Sequence, residues 1–156
     1  NMIFMSGQSS SAALESMAED GDASGFDQVF NAPVGMSSPG PLLPGSTYSF
    51  TFTAEKGDKL SFASMLVQSN DWFIGADNLD LFSNGMAISG DITGNVYLFD
   101  SGTEEDEYAG AGKNQPLRQA GPNTGIDEGG IISKEANPTN NIPTLAEMVK
   151  VTITPM

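Results

Sequence analysis

Ser69-Asn70-Asp71-Trp72-Phe73-Ile74-Gly75-Ala76-Asp77-Asn78-Leu79-Asp80-Leu81 and Tyr97-Leu98-Phe99-Asp100-Ser101-Gly102-Thr103-Glu104-Glu105-Asp106-Glu107 are the two stretches on which the fold of this chain turns. In each, an apolar and aromatic strand pattern meets carboxylates abruptly. Buried strands built this way would deliver Asp71 from one side, and Asp100 with Glu104 from the other, to the end of a sheet. Oxygen ligands carried on loops and held by rigid strands are how proteins build sites for hard cations.

Working outward, the residues before this region predict a hairpin. Tyr48, Phe50 and Phe52 alternate with Thr47, Ser49, Thr51 and Thr53, the period-2 pattern of a half-buried antiparallel strand. Glu55-Lys56-Gly57-Asp58 reads as its turn, and Leu60, Phe62, Met65, Leu66 and Val67 as the returning strand leading into Asp71. Ala32 to Gly45 is a Pro- and Gly-rich connection that cannot sit inside a sheet. Further upstream, Ala12, Ala13, Leu14, Met17 and Ala18 are spaced as the buried stripe of a short helix, with Gly7 to Ser11 supplying turn and capping residues before it and Asp20-Gly21-Asp22 as its stop. Phe26, Val29 and Phe30 suggest another helical turn on the core. Asn1 to Met5 looks like the tail of a strand, so the first strand is expected to be incomplete in this chain.

Downstream of Leu81, Ser83-Asn84-Gly85 and Gly90-Asp91 read as turns and Met86 to Ser89 as a short strand. Ile92, Val96 and Leu98 are expected to continue a strand to Asp100. Asp77 and Asp80 flank an expected turn, in which Asp80 would accept backbone N–H groups. Residues 109–141 are rich in Gly, Asn and Pro and form a long loop suited to function or partner binding. Val149, Val151 and Ile153 alternate with polar residues as a last strand.

Composition narrows the function. The 156 residues carry twenty acidic and six basic side chains, for a net charge of −14. The basic residues are scattered, so nucleic acid and anionic membrane surfaces are not expected partners. No apolar run is long enough to span a bilayer, so no transmembrane segment is expected. Cysteine and histidine are both absent, which removes thiolate sites, zinc sites and the usual nucleophile-base pairs. An enzyme is therefore not expected. No charged leader precedes Asn1, which reads as a processed or excised product from which any export signal is gone.

Two further features have ordinary structural readings. Trp72 beside strand residues is expected in the core, fixing the loop that carries Asp71. Asp20 and Asp22 flank a glycine as acids in calcium loops do, but no third alternate acid and no closing Glu follow, so solvated acids at a helix stop are the expected outcome.

On the quoted residues the chain resembles the spondin domain family, the β-sandwich module of F-spondin and mindin, and in particular its bacterial secreted branch. The resemblance rests on Asp71-Trp72, Ile74-Gly75, Asp80-Leu81 and Phe99-Asp100-Ser101-Gly102-Thr103-Glu104, with a weaker match at Ala18-Glu19-Asp20-Gly21-Asp22. It implies a mainly β, antiparallel sandwich over residues 1–156, lacking part of its first strand, with one or two short helices near the N-terminus. It also implies a bound metal held by Asp71, Asp100 and Glu104. Three carboxylates with no cation nearby repel strongly, since two unit charges 4 Å apart interact by ~4 kcal/mol at an effective dielectric near 20. Calcium is the expected ion, because a loop-built site of mixed oxygens tolerates irregular, high coordination. Glu105, Asp106 and Glu107 form an acidic rim, one member of which could stand in for Glu104.

The resemblance implies a secreted module for adhesion or recognition, with a protein or glycan ligand. A second reading is a structural subunit of an extracellular fibre or surface layer that self-associates by strand exchange through a groove left beside the incomplete first strand. The chain departs from the animal domains in lacking cysteines, and from bacterial members in lacking histidines in the long loop.

Overall fold

The structure, a computed structural model, describes residues 2–135 and 142–156. Its backbone is mainly β and antiparallel, with two short helices. The frame is a four-stranded antiparallel sheet in the order β1 (Lys59–Met65), β2 (Trp72–Asp80), β6 (Tyr97–Asp100), β7 (Ser133–Lys134). Two-stranded sheets are made by β3 (Phe82–Ser83) with β4 (Met86–Ala87), and by β5 (Gly90–Asp91) with β8 (Thr152–Ile153).

β2 is the central element. Successive side chains of a strand point to opposite faces, and both faces here are covered. Phe73 and Phe99 join Phe4, Leu14, Met17, Ala18 and Ile132 in one cluster, while Trp72 and Leu98 join Leu66, with Ile74, Ala109, Ile142 and Met148 beside them, in another. This double burial explains why Trp72-Phe73-Ile74 is continuously apolar rather than alternating. Gly75 is the point of closest approach: a Cβ there would stand 2.6 Å from the Phe62 carbonyl oxygen and 3.3 Å from the Phe4 ring.

The helix α1 (Ala12–Asp20) packs on the first face. Ser11 caps it, its hydroxyl accepting from the Leu14 N–H at 3.2 Å, and Gly21 ends it at φ 73° with its N–H on the Met17 carbonyl. These are the capping devices the sequence predicted, each satisfying helix-end groups that would otherwise lack partners.

Several expected strands are shorter, displaced or missing. Residues 2–5 form no strand; Phe4 instead buries its ring edge-on to Phe73 and Phe99. The predicted strand at 47–53 is likewise absent, and β1 pairs with β2 instead of turning back onto it. Phe50 and Phe52 are exposed, Phe50 stacking on Phe30 and Phe52 lying beside Phe50 rather than in the core. Val29 and Phe30 are also exposed, leaving Phe26 as the member of the expected helical turn that packs on the core.

Asp77 and Asp80 fall inside β2 rather than in a turn. Asp80 faces Lys59 across the ladder and pairs with its ammonium at 2.8 Å, on the surface. The Ser83-Asn84-Gly85 turn is present, with Asn84 and Gly85 both at positive φ, the geometry of a tight hairpin. Gly90-Asp91 proves to be β5, a 3-10 turn at Thr93–Asn95 interrupts the run into β6, and the last strand is reduced to β8 behind the helix α2 (Leu145–Met148).

The 109–141 loop is turn-rich and folds back on the second motif in its middle part: Glu105 N–H donates to the Ile126 carbonyl, Glu128 N–H to Thr103 and Gly130 N–H to Gly102. Residues 136–141 of that expected loop lie outside the described residues.

Candidate metal centre

The β2–β6 register puts Trp72 opposite Asp100, so Asp71, one residue before β2, and Asp100, the last residue of β6, meet at one end of the sheet. Asp106, six residues further along the acidic run, turns back to join them. One carboxylate oxygen from each of Asp71, Asp100 and Asp106 lies within 4.8 Å of the others.

Each acid is held differently. Asp71 is fully buried, and its Oδ2 accepts from the Ser101 hydroxyl and from the Thr103 and Glu104 N–H groups, all at 3.1 Å. Its other oxygen, Oδ1, is buried with no hydrogen-bond partner among the described residues. Asp100 Oδ1 accepts from the Gly102 N–H at 2.6 Å, closing the turn. Gly102 adopts φ 66° there, and a Cβ on it would stand 2.7 Å from the Ile131 nitrogen, so glycine is required on both counts. Asp106 Oδ1 accepts from the indole N–H of Trp72 at 2.7 Å. Trp72 is in the core as expected, and it also grips a carboxylate.

Glu104 does not join this group. Its side chain is buried on a different path, Oε1 accepting from the Gly125 N–H at 2.8 Å and Oε2 from Asn70 Nδ2 at 3.2 Å. Asn70 also donates to the Glu105 carbonyl and accepts from the Glu107 N–H. Glu104 and Asn70 thus tie the acidic run to the base of β2 and the long loop, while the next Asp in the rim supplies the third oxygen. Glu107 is occupied by Asn114, accepting from its backbone N–H and its side-chain amide at 2.8 Å each.

The electrostatics are those of an unneutralised cluster. Burial, and then the charge of Asp71, push Asp100 up to about 7. Burial also raises Asp71, against hydrogen bonds from Glu104, Thr103 and Ser101 that favour its ionised form. Glu104 is raised first by burial as well. The ion pairs Lys59–Asp80 and Lys150–Asp91 involve none of these acids, and the Lys134 ammonium sits over the Tyr97 ring, 3.2 Å from its centroid. Asp106 opens onto a small cleft of about 120 Å³ lined also by Glu105, Glu107, Lys113, Asn114 and Ile126.

Glu19, on α1, is a buried acid that sequence reasoning passed over. It is 2 % exposed, burial raises it to about 7 against a hydrogen bond with Thr103, and its Oε2 has no partner among the described residues. Its only sequence signal was its place in the Ala18-to-Asp22 run. Neighbouring Asp20 accepts from Gln119 and Asn123 of the long loop, while Asp22 accepts from the Ser24 N–H, so the two do not form a calcium loop.

The fold and the acidic sheet end define a mainly β module with an all-oxygen cluster at one edge. The Spondin_N family model matches residues 1–127, and the chain belongs to the spondin domain family. No curated protein and no solved structure matches it. Spondin domains are typically extracellular modules of recognition and adhesion, and among the described residues no helix is long and apolar enough to cross a membrane.

Proposed function

We propose that this spondin domain is a secreted, calcium-binding recognition module and not an enzyme, in which Asp71, Asp100 and Asp106 hold the ion and Glu104 positions the loop that bears them. The observation that carries the reading is Asp71 Oδ1: a buried carboxylate oxygen without a hydrogen-bond partner among the described residues, on a side chain that meets two further acids. Leaving a buried charged acceptor unsatisfied is costly. A divalent ion offsets that cost and the mutual repulsion together.

The donor set supports calcium. Carboxylates on loops give the irregular oxygen shell that calcium accepts, and the cleft beside Asp106 leaves room for water or a ligand's oxygen to complete it. An ion there would fix the Ser101–Asp106 turn against the start of β2. It would also present a positive centre in an otherwise acidic surface, suited to an acidic group on a protein or glycan ligand.

The test is a calcium titration of thermal stability, with Trp72 fluorescence as a second readout because its indole bonds to Asp106. A native-state ligand at 100 times its dissociation constant stabilises by about 2.7 kcal/mol. Asp106→Asn and Asp100→Asn should each remove most of the rise in melting temperature and the fluorescence change, while Asp20→Asn leaves both intact. A parent protein indifferent to millimolar calcium by both measures rejects the reading.

A further inference from the structure

From Gln28 to Ala54 the chain carries no charged residue, although its net charge is −14. The same stretch holds a concentration of exposed apolar side chains: Phe30, Leu43, Phe50 and Phe52 are each at least 40 % exposed. Phe30 stacks on Phe50 with centroids 4.5 Å apart, and Phe50 lies 5.9 Å from Phe52. Residues two apart can share a side in this way only on extended backbone.

The backbone there is open as well. The Thr47 carbonyl accepts from the Val34 N–H, but residues 48–54 make no backbone-to-backbone hydrogen bond with any described residue. Thr47-Tyr48-Ser49-Phe50-Thr51-Phe52-Thr53 is thus a strand in sequence, and from Tyr48 onward an unpaired edge in the structure. Such edges recruit another strand unless they are blocked by charge, proline or a bulge. None of these blocks lies within 47–53.

We propose that this edge pairs with the same edge of a second copy, antiparallel about Phe50. In that register Phe50 faces Phe50, Tyr48 faces Phe52, Ser49 faces Thr51 and Thr47 faces Thr53. Aromatic meets aromatic on one face and hydroxyl meets hydroxyl on the other, which is the self-complementarity a two-fold interface requires. Charge selects a second copy: this is the stretch where two strongly acidic chains can meet without bringing carboxylates together, and the acids bordering it, Asp27 and Glu55, are where salt would relieve the remaining repulsion. The dimer is independent of the metal site and closes on itself rather than growing into a fibre.

The experiment is mass measurement by light scattering over a concentration series, at low and high salt. The parent should move from its 16.3 kDa monomer to twice that mass, at lower concentration in high salt. Because the two-fold brings residue 50 against its own copy, Phe50→Asp alone and Phe50→Lys alone should each be monomeric, and their equimolar mixture should recover the doubled mass. Circular dichroism of each variant checks that both keep the parent fold. A parent monomeric up to its solubility limit, a Phe50→Asp variant that dimerises as the parent does, or a mixture that stays monomeric overturns the proposal. So does a parent that stays monomeric but pellets with uncharged phosphatidylcholine vesicles through Phe50, which would assign the surface to a bilayer.

Discussion

Residues 47–53 and residues 72–80 look alike as strands, and they end in opposite surroundings. The first alternates aromatic and hydroxyl residues as a half-buried strand should, yet it has no ladder and its rings face solvent. The second breaks the alternation with Trp72-Phe73-Ile74, is buried through its first half and is paired on both sides there. The difference teaches that strand propensity describes a surface in need of partners. A strand forms where backbone donors and acceptors find a neighbour and both faces find cover.

The comparison breaks most readily in the core. Phe99→Ala removes a ring packed against Phe4 and Phe73, 1 % exposed, and should cost about 3–5 kcal/mol in urea unfolding. Phe52→Ala, measured on dilute monomer, should stay within about 0.5 kcal/mol. Comparable losses at the two positions would mean that 47–53 is packed after all.

The next effect tests the buried acid of α1. Glu19 ordinarily titrates near 4.5 and is raised to about 7 in the fold. The folded state therefore holds the proton more tightly than the unfolded chain, and the stability this gives is present below about pH 4.5 and lost as pH rises through 7. Glu19→Gln should match the parent near pH 4 and exceed it at pH 8 by on the order of 3 kcal/mol. A variant equally stable with the parent at pH 8 would show that Glu19 is solvated.

Calcium sharpens the contrast at slightly smaller scale. Stabilisation by the ion should survive Glu104→Gln, on a lowered baseline, and vanish in Asp106→Asn; the reverse pattern in a thermal titration would restore Glu104 as the ligand. The smallest expected effect is on the surface. Lys59→Ala loses the exposed pair with Asp80 and should cost less than about 1 kcal/mol, decreasing further in high salt.

Much of this was legible from the order of residues. The helix and both its ends follow from Ser11, the Leu14-Met17-Ala18 stripe and Gly21, because caps and helical periodicity are local properties. The meeting of Asp71 with Asp100 could be anticipated because each ends a strongly apolar strand pattern, and rigid paired strands carry their end residues to a shared edge. The third oxygen could not. Glu104, Glu105, Asp106 and Glu107 are alike in chemistry, and which one turns inward depends on contacts remote in sequence: Gly125 and Asn70 draw Glu104 aside, Asn114 holds Glu107, and the Trp72 indole fixes Asp106.

The sequence by itself determined an acidic, mainly β spondin domain with carboxylates at a sheet end, since composition, periodicity and motif spacing are written along the chain. Only the tertiary structure decided which acids converge, which lie buried without a partner, and which well-formed strand pattern remains unpaired. Those outcomes rest on the desolvation and pairing of groups far apart in the chain, and no local pattern encodes them.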